Sequence, residues 1–260
     1  MTDFYRCWIG ECAKNRRTLT TWLILVGGFF TPSIIFLLRL RTYQKLPAVY
    51  RADDFWLVAW KLHWESMTVI LFPIGIILAC ALLAQLEVKN NTWKQLLSTP
   101  LSLSSIFFAK LGIVLVMLLQ VFLLFNLGMF LAAILPTFLF SDVPFPTASY
   151  STKSLLEFNV RYYVNCLPMI AIQQLLSLHF KNFLVPVGVG FLIWLIGVAG
   201  ASASFSYVFP YFICGLDFLI DIKDKRYPGV PVNLQWISLA YFFLFTAINY
   251  CLFVFKSDKS

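Results

Sequence analysis

Three aspartates near the C-terminal end of the sequence have the spacing of a cation site. Asp217, Asp221 and Asp224 lie four and three positions apart, with basic residues beside them. On a helix, carboxylates at i and i+4 share one side, and carboxylate oxygens are the ligands that hard cations such as Mg²⁺ prefer. Asp217 and Asp221 therefore suggest one hypothesis, an intramembrane enzyme that works with a bound cation.

Other features of the sequence weigh against catalysis. The pair resembles the aspartates by which intramembrane prenyltransferases hold magnesium pyrophosphate, which implies an enzyme acting on a lipid or prenyl pyrophosphate through Asp217 and Asp221. Those enzymes have two such motifs and more spans, however, and no second acidic cluster is present here. The Ser–His patterns of lipid phosphotransferases and rhomboid-type proteases are also absent. A solvated loop end whose charges pair with one another is the favoured interpretation of Asp217–Asp224. We predict no catalytic residue and no metal or cofactor held by this chain.

The six cysteines do not suggest a metal or disulfide framework. Cys7 and Cys12 lie close together, but no histidine or further cysteine follows them at the spacing of a zinc site. The others are scattered, at least three of them within apolar stretches. We interpret all six as small apolar residues.

The composition is that of a membrane protein. Of the 260 residues, 60% are hydrophobic and 12% are charged, with a mean hydropathy of +0.80, whereas soluble domains carry about a quarter charged residues. The net charge of +8 does not indicate nucleic acid, because the basic residues flank apolar stretches and anchor them at the membrane surface. Membrane lipid is therefore an expected partner. No cleavable signal peptide is apparent, so we expect the first span to be retained.

Stretches without charged residues predict the membrane spans, since a helix needs about 20 apolar residues to cross the hydrocarbon core. We predict an all-α polytopic membrane protein with one transmembrane domain over 1–260. Residues 1–17 have the pattern of an amphipathic helix lying at the membrane surface. A re-entrant segment is expected between the fifth and sixth helices. The six predicted spans are 18–38, 66–86, 111–135, 162–178, 183–200 and 234–255.

The charge distribution does not determine the orientation of the chain in the membrane. With six spans, the basic residues divide equally between the two sides of the membrane. Both termini lie on one side. The two longest loops, 39–65 and 136–161, lie on the other side and are rich in aromatic residues and proline, which predicts that they fold against the membrane.

The segment 87–105, between the second and third predicted spans, has the pattern of a short docking helix. Asn91 or Thr92 is a suitable N-cap, Pro100 ends the helix, and Ser102 or Ser104 caps the next span. Three apolar side chains share one face at i, i+3 and i+4: Trp93, Leu96 and Leu97. A helix of two turns with such a face needs an apolar groove to receive it.

This segment resembles the first cytoplasmic loop of ABC-2-type permeases, the membrane subunits of many bacterial ABC exporters. The matching residues, in order, are Glu87, Thr92, Trp93, Leu96, Leu97, Pro100, Ser102 and Lys110. The resemblance implies that 87–105 is the coupling segment that docks into an ABC ATPase subunit. It also implies the bacterial plasma (inner) membrane, with both termini in the cytoplasm. Size and motif are most similar to the lantibiotic-immunity and bacitracin-resistance branch.

The resemblance further implies a subunit that is not itself an enzyme. The sequence lacks the Gly-x-x-x-x-Gly-Lys-[Ser/Thr] loop that cradles nucleotide phosphates, so ATP and Mg²⁺ would be bound by the separate ATPase. A second permease chain, identical or sibling, would complete a dimer. The expected cargo is amphipathic or apolar: a peptide antibiotic, a lipid or a drug. Immunity or antibiotic resistance is the expected role.

Uncharged polar residues lie inside the predicted spans. They either line a substrate route or hydrogen-bond between helices, and the second is the commoner role. The candidates are Gln120, Asn126, Gln173 and Gln174. No charged residue lies deep in a predicted span, which argues against a proton- or sodium-coupled carrier. Glycines from Gly188 to Gly200 suggest close packing of the fifth span, with a dimer interface as one location.

Overall fold

The described part of the chain is helical throughout. The structure, a computed structural model, describes residues 2–15, 18–89, 102–146, 152–180, 182–222 and 232–257, and these contain no β-strand. A π-helical turn, Met67–Leu71, joins α4 to α5 without a break. The α-helices are α1 (Thr2–Asn15), α2 (Leu19–Arg41), α3 (Leu46–Tyr50), α4 (Phe55–Ser66), α5 (Phe72–Lys89), α6 (Leu103–Leu139), α7 (Thr152–His179), α8 (Leu184–Ala199), α9 (Ile213–Asp221) and α10 (Leu234–Ser257).

Four helical stretches are long and apolar enough to cross a membrane. They are Leu19–Arg41, Phe55–Leu86, Leu103–Leu139 and Leu234–Phe255. They coincide with the predicted first, second, third and sixth spans, which confirms that the described residues are helical and include several membrane helices. The long helix Leu103–Leu139 has 37 residues, so it measures about 55 Å and is longer than the hydrocarbon core is thick.

The other two predicted spans also coincide with helices, but those helices do not settle the count of six. α8 has 16 residues, fewer than the about 20 that a perpendicular crossing needs. α7 is long enough to cross, but the polar side chains of Asn165, Gln173 and Gln174 lower its mean hydropathy, and it is not among the four stretches above. The six-span count, the surface position of α1 and the re-entrant segment remain predictions.

The loop predicted over 39–65 is largely helical, because its aromatic side chains belong to the core. α4 carries Trp60 and Trp64, both buried, into a cluster with side chains of α5, α6, α7 and α9. The Trp64 ring lies edge-on to Phe125 at 5.0 Å between ring centroids, and Phe72 stacks on Phe122 at 4.5 Å. Such aromatic contacts add to the apolar packing. They explain why the helix continues past the predicted boundary at residue 66.

Small residues bring α2 and α6 into close contact. A Cβ atom added at Gly28 would lie 2.7 Å from the Leu124 Cβ, and one added at Gly128 would lie 2.9 Å from the Pro32 Cγ. Small residues at helix crossings allow this approach in membrane proteins, where packing replaces the hydrophobic driving force.

Gly28 and its neighbour Gly27 provide a matched pair for testing this packing. We expect Gly28→Ala to destabilise the fold by about 1–3 kcal/mol, because the added methyl group forces α2 away from α6. Gly27→Ala should be neutral or slightly stabilising, since no atom lies within 4 Å of a Cβ at that position and alanine favours helix. Thermal unfolding of the two variants in detergent measures the difference. Equal melting temperatures would contradict the close α2–α6 contact.

Most glycines of the fifth predicted span pack inside the chain. Added Cβ atoms at Gly190, Gly197 and Gly200 would meet the side chains of Gln173, Phe212 and Phe209, respectively. Gly188 alone among the four has open space around it. The small residues of α8 therefore serve intramolecular contacts, and they do not by themselves indicate a dimer interface.

Candidate functional site: the coupling end of the helices

Two long helices bracket the predicted coupling segment. α5 ends at Lys89 and α6 begins at Leu103. Ser102 is the N-cap of α6, since its Oγ accepts a hydrogen bond from the Ser105 backbone N–H at 3.3 Å. Ser104, the other predicted cap, instead has its Oγ 2.6 Å from the Tyr250 hydroxyl of α10. The start of α6 is thus held both locally and by the last helix.

The residues predicted to dock into an ATPase lie outside the described residues. These are Thr92, Trp93, Leu96, Leu97 and Pro100. Glu87 lies on the last turns of α5, and its side chain is also outside the described part of the chain. The docking role of this set therefore stays a prediction.

Lys110, the last residue of the motif, joins α6 to the N-terminal helix. Its Nζ lies 3.3 Å from the Glu11 Oε1, and the Lys14 Nζ lies 2.7 Å from the same oxygen. Lys110 is buried, and beside this ion pair the ring of Trp8 packs on Gly112 of α6. Burial disfavours the ionised form of Glu11, but the charges and hydrogen bonds of Lys110 and Lys14 outweigh it and lower the pKa of Glu11.

We expect Glu11→Gln to destabilise the attachment of α1 by about 2 kcal/mol near neutral pH, because Lys110 and Lys14 lose a shared carboxylate. Because the pKa of Glu11 is lower in the folded state than in the unfolded state, its ion pair stabilises the fold at pH values above the unfolded-state pKa. This stabilisation is lost as the pH falls through the folded-state pKa. The difference from wild type should therefore begin to shrink as the pH falls below about 4, the ordinary range of a glutamate, and should be lost once the pH is below the lowered folded-state pKa. Thermal unfolding across pH measures it, with Glu65→Gln, an exposed carboxylate on α4, as the matched control. A pH-independent difference would contradict the ion pair.

Two of the four polar candidates make hydrogen bonds between helices. Asn126 of α6 and Asn159 of α7 exchange side-chain hydrogen bonds at 2.6 and 3.2 Å. Gln173 of α7 donates to the Pro186 carbonyl of α8 at 2.9 Å and accepts from the Tyr211 hydroxyl at 2.7 Å. Asn126 and Gln173 therefore hold helices together in this structure.

The other two candidates have different surroundings. Gln120 is exposed midway along α6, beside Thr21 of α2 at a shallow cleft. Gln174 is buried, and neither atom of its side-chain amide has a hydrogen-bond partner among the described residues. It lines a small cavity with Glu11, Lys110 and Ser177. Gln120 and Gln174 therefore line different cavities, and a substrate route through the four candidates stays a prediction.

The structure corrects the interpretation of the aspartate cluster. Asp217 lies buried on α9, and it is not part of a solvated loop end. The Arg161 Nε of α7 lies 2.9 Å from the Asp217 Oδ2, and the same guanidinium contacts the Asp221 carboxylate. Both are close charge contacts without the alignment of a linear hydrogen bond. Asn165 donates to Asp217 at 2.7 Å, and Tyr162 donates to Asp221 at 2.9 Å.

This arrangement does not favour the enzyme hypothesis. Both carboxylates face an arginine, a partner that competes with a cation for their oxygens. Within the described ranges, no group of three or more His, Cys, Asp or Glu side chains is placed to hold a metal ion. Asp224 lies outside those ranges. The cluster instead links α7 to α9, and through the Gln235 amide, 3.4 Å from Asp217, to α10.

Sequence reasoning missed Arg161 and Glu11 because their partners are distant in the chain. The sequence places Arg161 at the end of a predicted loop, just before the fourth predicted span, and its contacts Asp217 and Asp221 lie more than fifty positions further on. Glu11 is separated from Lys110 by 99 positions. The only local signal was that a lone charge beside an apolar stretch needs a partner if the helix continues through it.

Comparison with known families decides the identity. The model of a family described as ABC-2 family transporter protein matches residues 9–197, which is most of the chain. The chain belongs to the ABC-2 transporter family. The match covers α1 from its middle, the whole coupling segment and the chain as far as the end of α8, but neither α9 nor α10.

This ABC-2 transporter chain is therefore a membrane transporter subunit. Subunits of the family are normally non-catalytic and in general work with an ABC ATPase. No curated protein matches the sequence. The family assignment supports the resemblance found in 87–110, but it does not select the lantibiotic-immunity and bacitracin-resistance branch, which remains a prediction.

Proposed function

We propose that this chain is the permease subunit of an ATP-driven exporter whose energy comes from a separate ABC ATPase. The family match over residues 9–197 carries this proposal. The coupling segment would dock on the ATPase through Trp93, Leu96 and Leu97, and it would transmit ATP-driven movement to α5 and α6. Both termini and the coupling segment would then face the cytoplasm of a bacterial cell.

The geometry at the coupling end supports this transmission. The coupling segment connects α5 directly to α6, and the Ser104–Tyr250 and Lys110–Glu11 contacts tie the start of α6 to α10 and α1. A force applied to the segment would act on α5 and α6 and, through these contacts, on α10 and α1. Two such chains, or one with a sibling permease, would complete the transporter.

The cargo of this exporter would be amphipathic or apolar and would be drawn from the membrane. The described spans leave many large apolar side chains exposed outward, as is expected of helices in contact with lipid. Peptide antibiotics, lipids and drugs share this character, and immunity or resistance is the role that we propose.

Affinity purification of the tagged chain in mild detergent, with mass spectrometry and an ATPase assay, tests the proposal. We expect a chain with the Gly-x-x-x-x-Gly-Lys-[Ser/Thr] motif to co-purify, together with ATP hydrolysis that vanadate inhibits. Trp236→Ala, which removes an exposed tryptophan far from the coupling segment in sequence, is the control and should keep the partner. A purified chain without ATPase partner or activity would contradict the proposal and return attention to Asp217 and Asp221.

A further inference from the structure

A small polar cavity lies where α1, α5, α6 and α7 meet near the coupling end. About 30 Å³ of it is open to the centre of a water molecule. Its polar lining comes from three helices: Glu11 on α1, Lys110 on α6, and Gln174 and Ser177 on α7. Cys80 of α5 lies in its wall. The cavity is therefore enclosed by helices, about two turns from the start of α6.

The two α7 residues in this lining have unmet hydrogen bonds. Gln174 is 4% exposed and Ser177 is 3% exposed. Neither atom of the Gln174 amide, nor the Ser177 hydroxyl, has a hydrogen-bond partner among the described residues. The two side chains lie three positions apart, so they share one face of α7. Since buried polar groups are nearly always hydrogen-bonded, these groups require an occupant of the cavity that both donates and accepts.

The charges in the lining favour a neutral occupant. The carboxylate of Glu11 and the ammonium group of Lys110 form an ion pair, with 3.3 Å between the Lys110 Nζ and the Glu11 Oε1. An ion of either sign in the cavity would lie close to a like charge, and it would also lose its hydration. A neutral molecule with donors and acceptors avoids both costs and can hydrogen-bond to either charged group.

The size of the cavity favours water among neutral molecules. A buried water molecule needs about 10–15 Å³ of such space and two to four polar partners, so the cavity has room for two. The amide and hydroxyl of α7 supply three polar atoms, and the ion pair supplies two charged groups. Two waters can also hydrogen-bond to each other, which links the α7 side of the cavity to the side of the ion pair.

We propose that this cavity holds two buried water molecules, which bridge Gln174 and Ser177 to the ion pair of Glu11 and Lys110. The inference goes beyond the exporter function and does not depend on it. At this level α7 is joined to α1 and α6 through water, and such bonds are enthalpically close to direct ones. Because bridging waters can change partners, α7 can shift against α6 here without leaving the buried amide or the ion pair without partners.

Radiolytic hydroxyl labelling of the purified full chain in detergent tests for the bound water directly. X-ray pulses convert water to hydroxyl radicals, which oxidise the side chains beside the parent water, and mass spectrometry locates the oxidised residues. Cys80 is 3% exposed and lines the cavity, whereas Cys166 is 0% exposed and does not. Both thiols are shielded from bulk solvent, so we expect Cys80 to be oxidised several times faster than Cys166. Equally slow oxidation of the two would overturn the proposal.

A variant with an apolar lining gives an independent measurement. Gln174→Met with Ser177→Ala nearly keeps the volume of the side chains but removes the partners of the waters. Loss of the bridges should lower the melting temperature by about 2–4 °C and should decrease Cys80 oxidation to the rate of Cys166. A higher melting temperature would overturn the proposal, because removal of polar groups that are buried without any partner stabilises a protein.

The matched control for this variant is Asn249→Leu. Asn249 of α10 is also buried, with an amide that has no partner among the described residues, but it does not line this cavity. The control should leave Cys80 oxidation unchanged, and a decrease as large as that of the cavity variant would overturn the assignment of the waters to this cavity.

Ions are tested with the wild-type chain. Its melting temperature should be the same in sodium chloride, potassium chloride, choline chloride and sodium gluconate at equal ionic strength. A dependence on the identity of the cation or the anion would show that an ion occupies the cavity, and it would overturn the proposal of water.

Discussion

The double substitution Trp93→Ala with Leu97→Asp is expected to abolish transport and to remove the ATPase from the purified complex, while the chain remains inserted in the membrane. Buried tryptophans at the centre of interfaces commonly contribute 2 kcal/mol or more, about thirtyfold in affinity. The aspartate would place a charge in an apolar groove. Co-purified ATPase per permease, measured by quantitative mass spectrometry, should decrease by at least that factor.

The control for this experiment is Trp236→Ala, which removes an exposed tryptophan of α10. It should retain both the ATPase and transport. Yield and gel-filtration profile in detergent report whether each variant is inserted and folded. A well-folded double variant that still binds its ATPase at the wild-type level would rule out the docking role of 87–105.

Substitution of Arg161 is expected to have the largest effect on stability. Arg161→Gln would leave the carboxylates of Asp217 and Asp221 close together without their cation. Breaking a fully buried ion pair in this way costs about 3–5 kcal/mol, and we expect a loss at the lower end of that range because Arg161 is only partly buried. Arg51→Gln, on an exposed side chain, should change the melting temperature little. Thermal unfolding in detergent, followed by gel filtration, measures both.

Substitution of Asp217 distinguishes a structural role of the aspartate cluster from a catalytic one. Asp217→Asn alone should also destabilise, but Arg161→Gln with Asp217→Asn should recover part of the loss, since fewer charges remain buried without partners. If Asp217→Asn folds with wild-type stability and loses activity, the structural role of the cluster is wrong and the enzyme hypothesis gains support. If the double variant is the least stable of the three, the ion pair is not what holds α7 to α9.

The positions of four membrane spans were predictable, but the residues at which the helices begin were not, and charge is the reason. The predicted second, third and fourth spans begin directly after the charged residues Glu65, Lys110 and Arg161, respectively. In the structure each helix continues past that residue. Lys110 pairs with Glu11, and Arg161 contacts two aspartates. Distant partners make these charges tolerable, and no residue near them in the sequence identifies those partners.

In the candidate site, too, features set by neighbouring residues were predictable and features set by distant contacts were not. The Ser102 cap was predictable because capping depends on residues within one turn. The burial of Asp217 was not, because it depends on α7 and α10 closing around α9. For the polar candidates, composition alone did not distinguish Gln173, which bonds two other segments, from Gln174, whose amide has no described partner. Only the packing of α7 against its neighbours separates them.

Site-specific photocrosslinking in intact cells tests the central claim most directly. A benzophenone amino acid is placed at position 93 in the coupling segment, and in a second chain at position 138, where Phe138 is exposed near the opposite end of α6. We predict a crosslink from position 93 to a cytoplasmic chain that carries the Gly-x-x-x-x-Gly-Lys-[Ser/Thr] motif, and none from position 138. The absence of that crosslink at position 93, or its presence at position 138, would contradict an ATPase-coupled permease with this orientation.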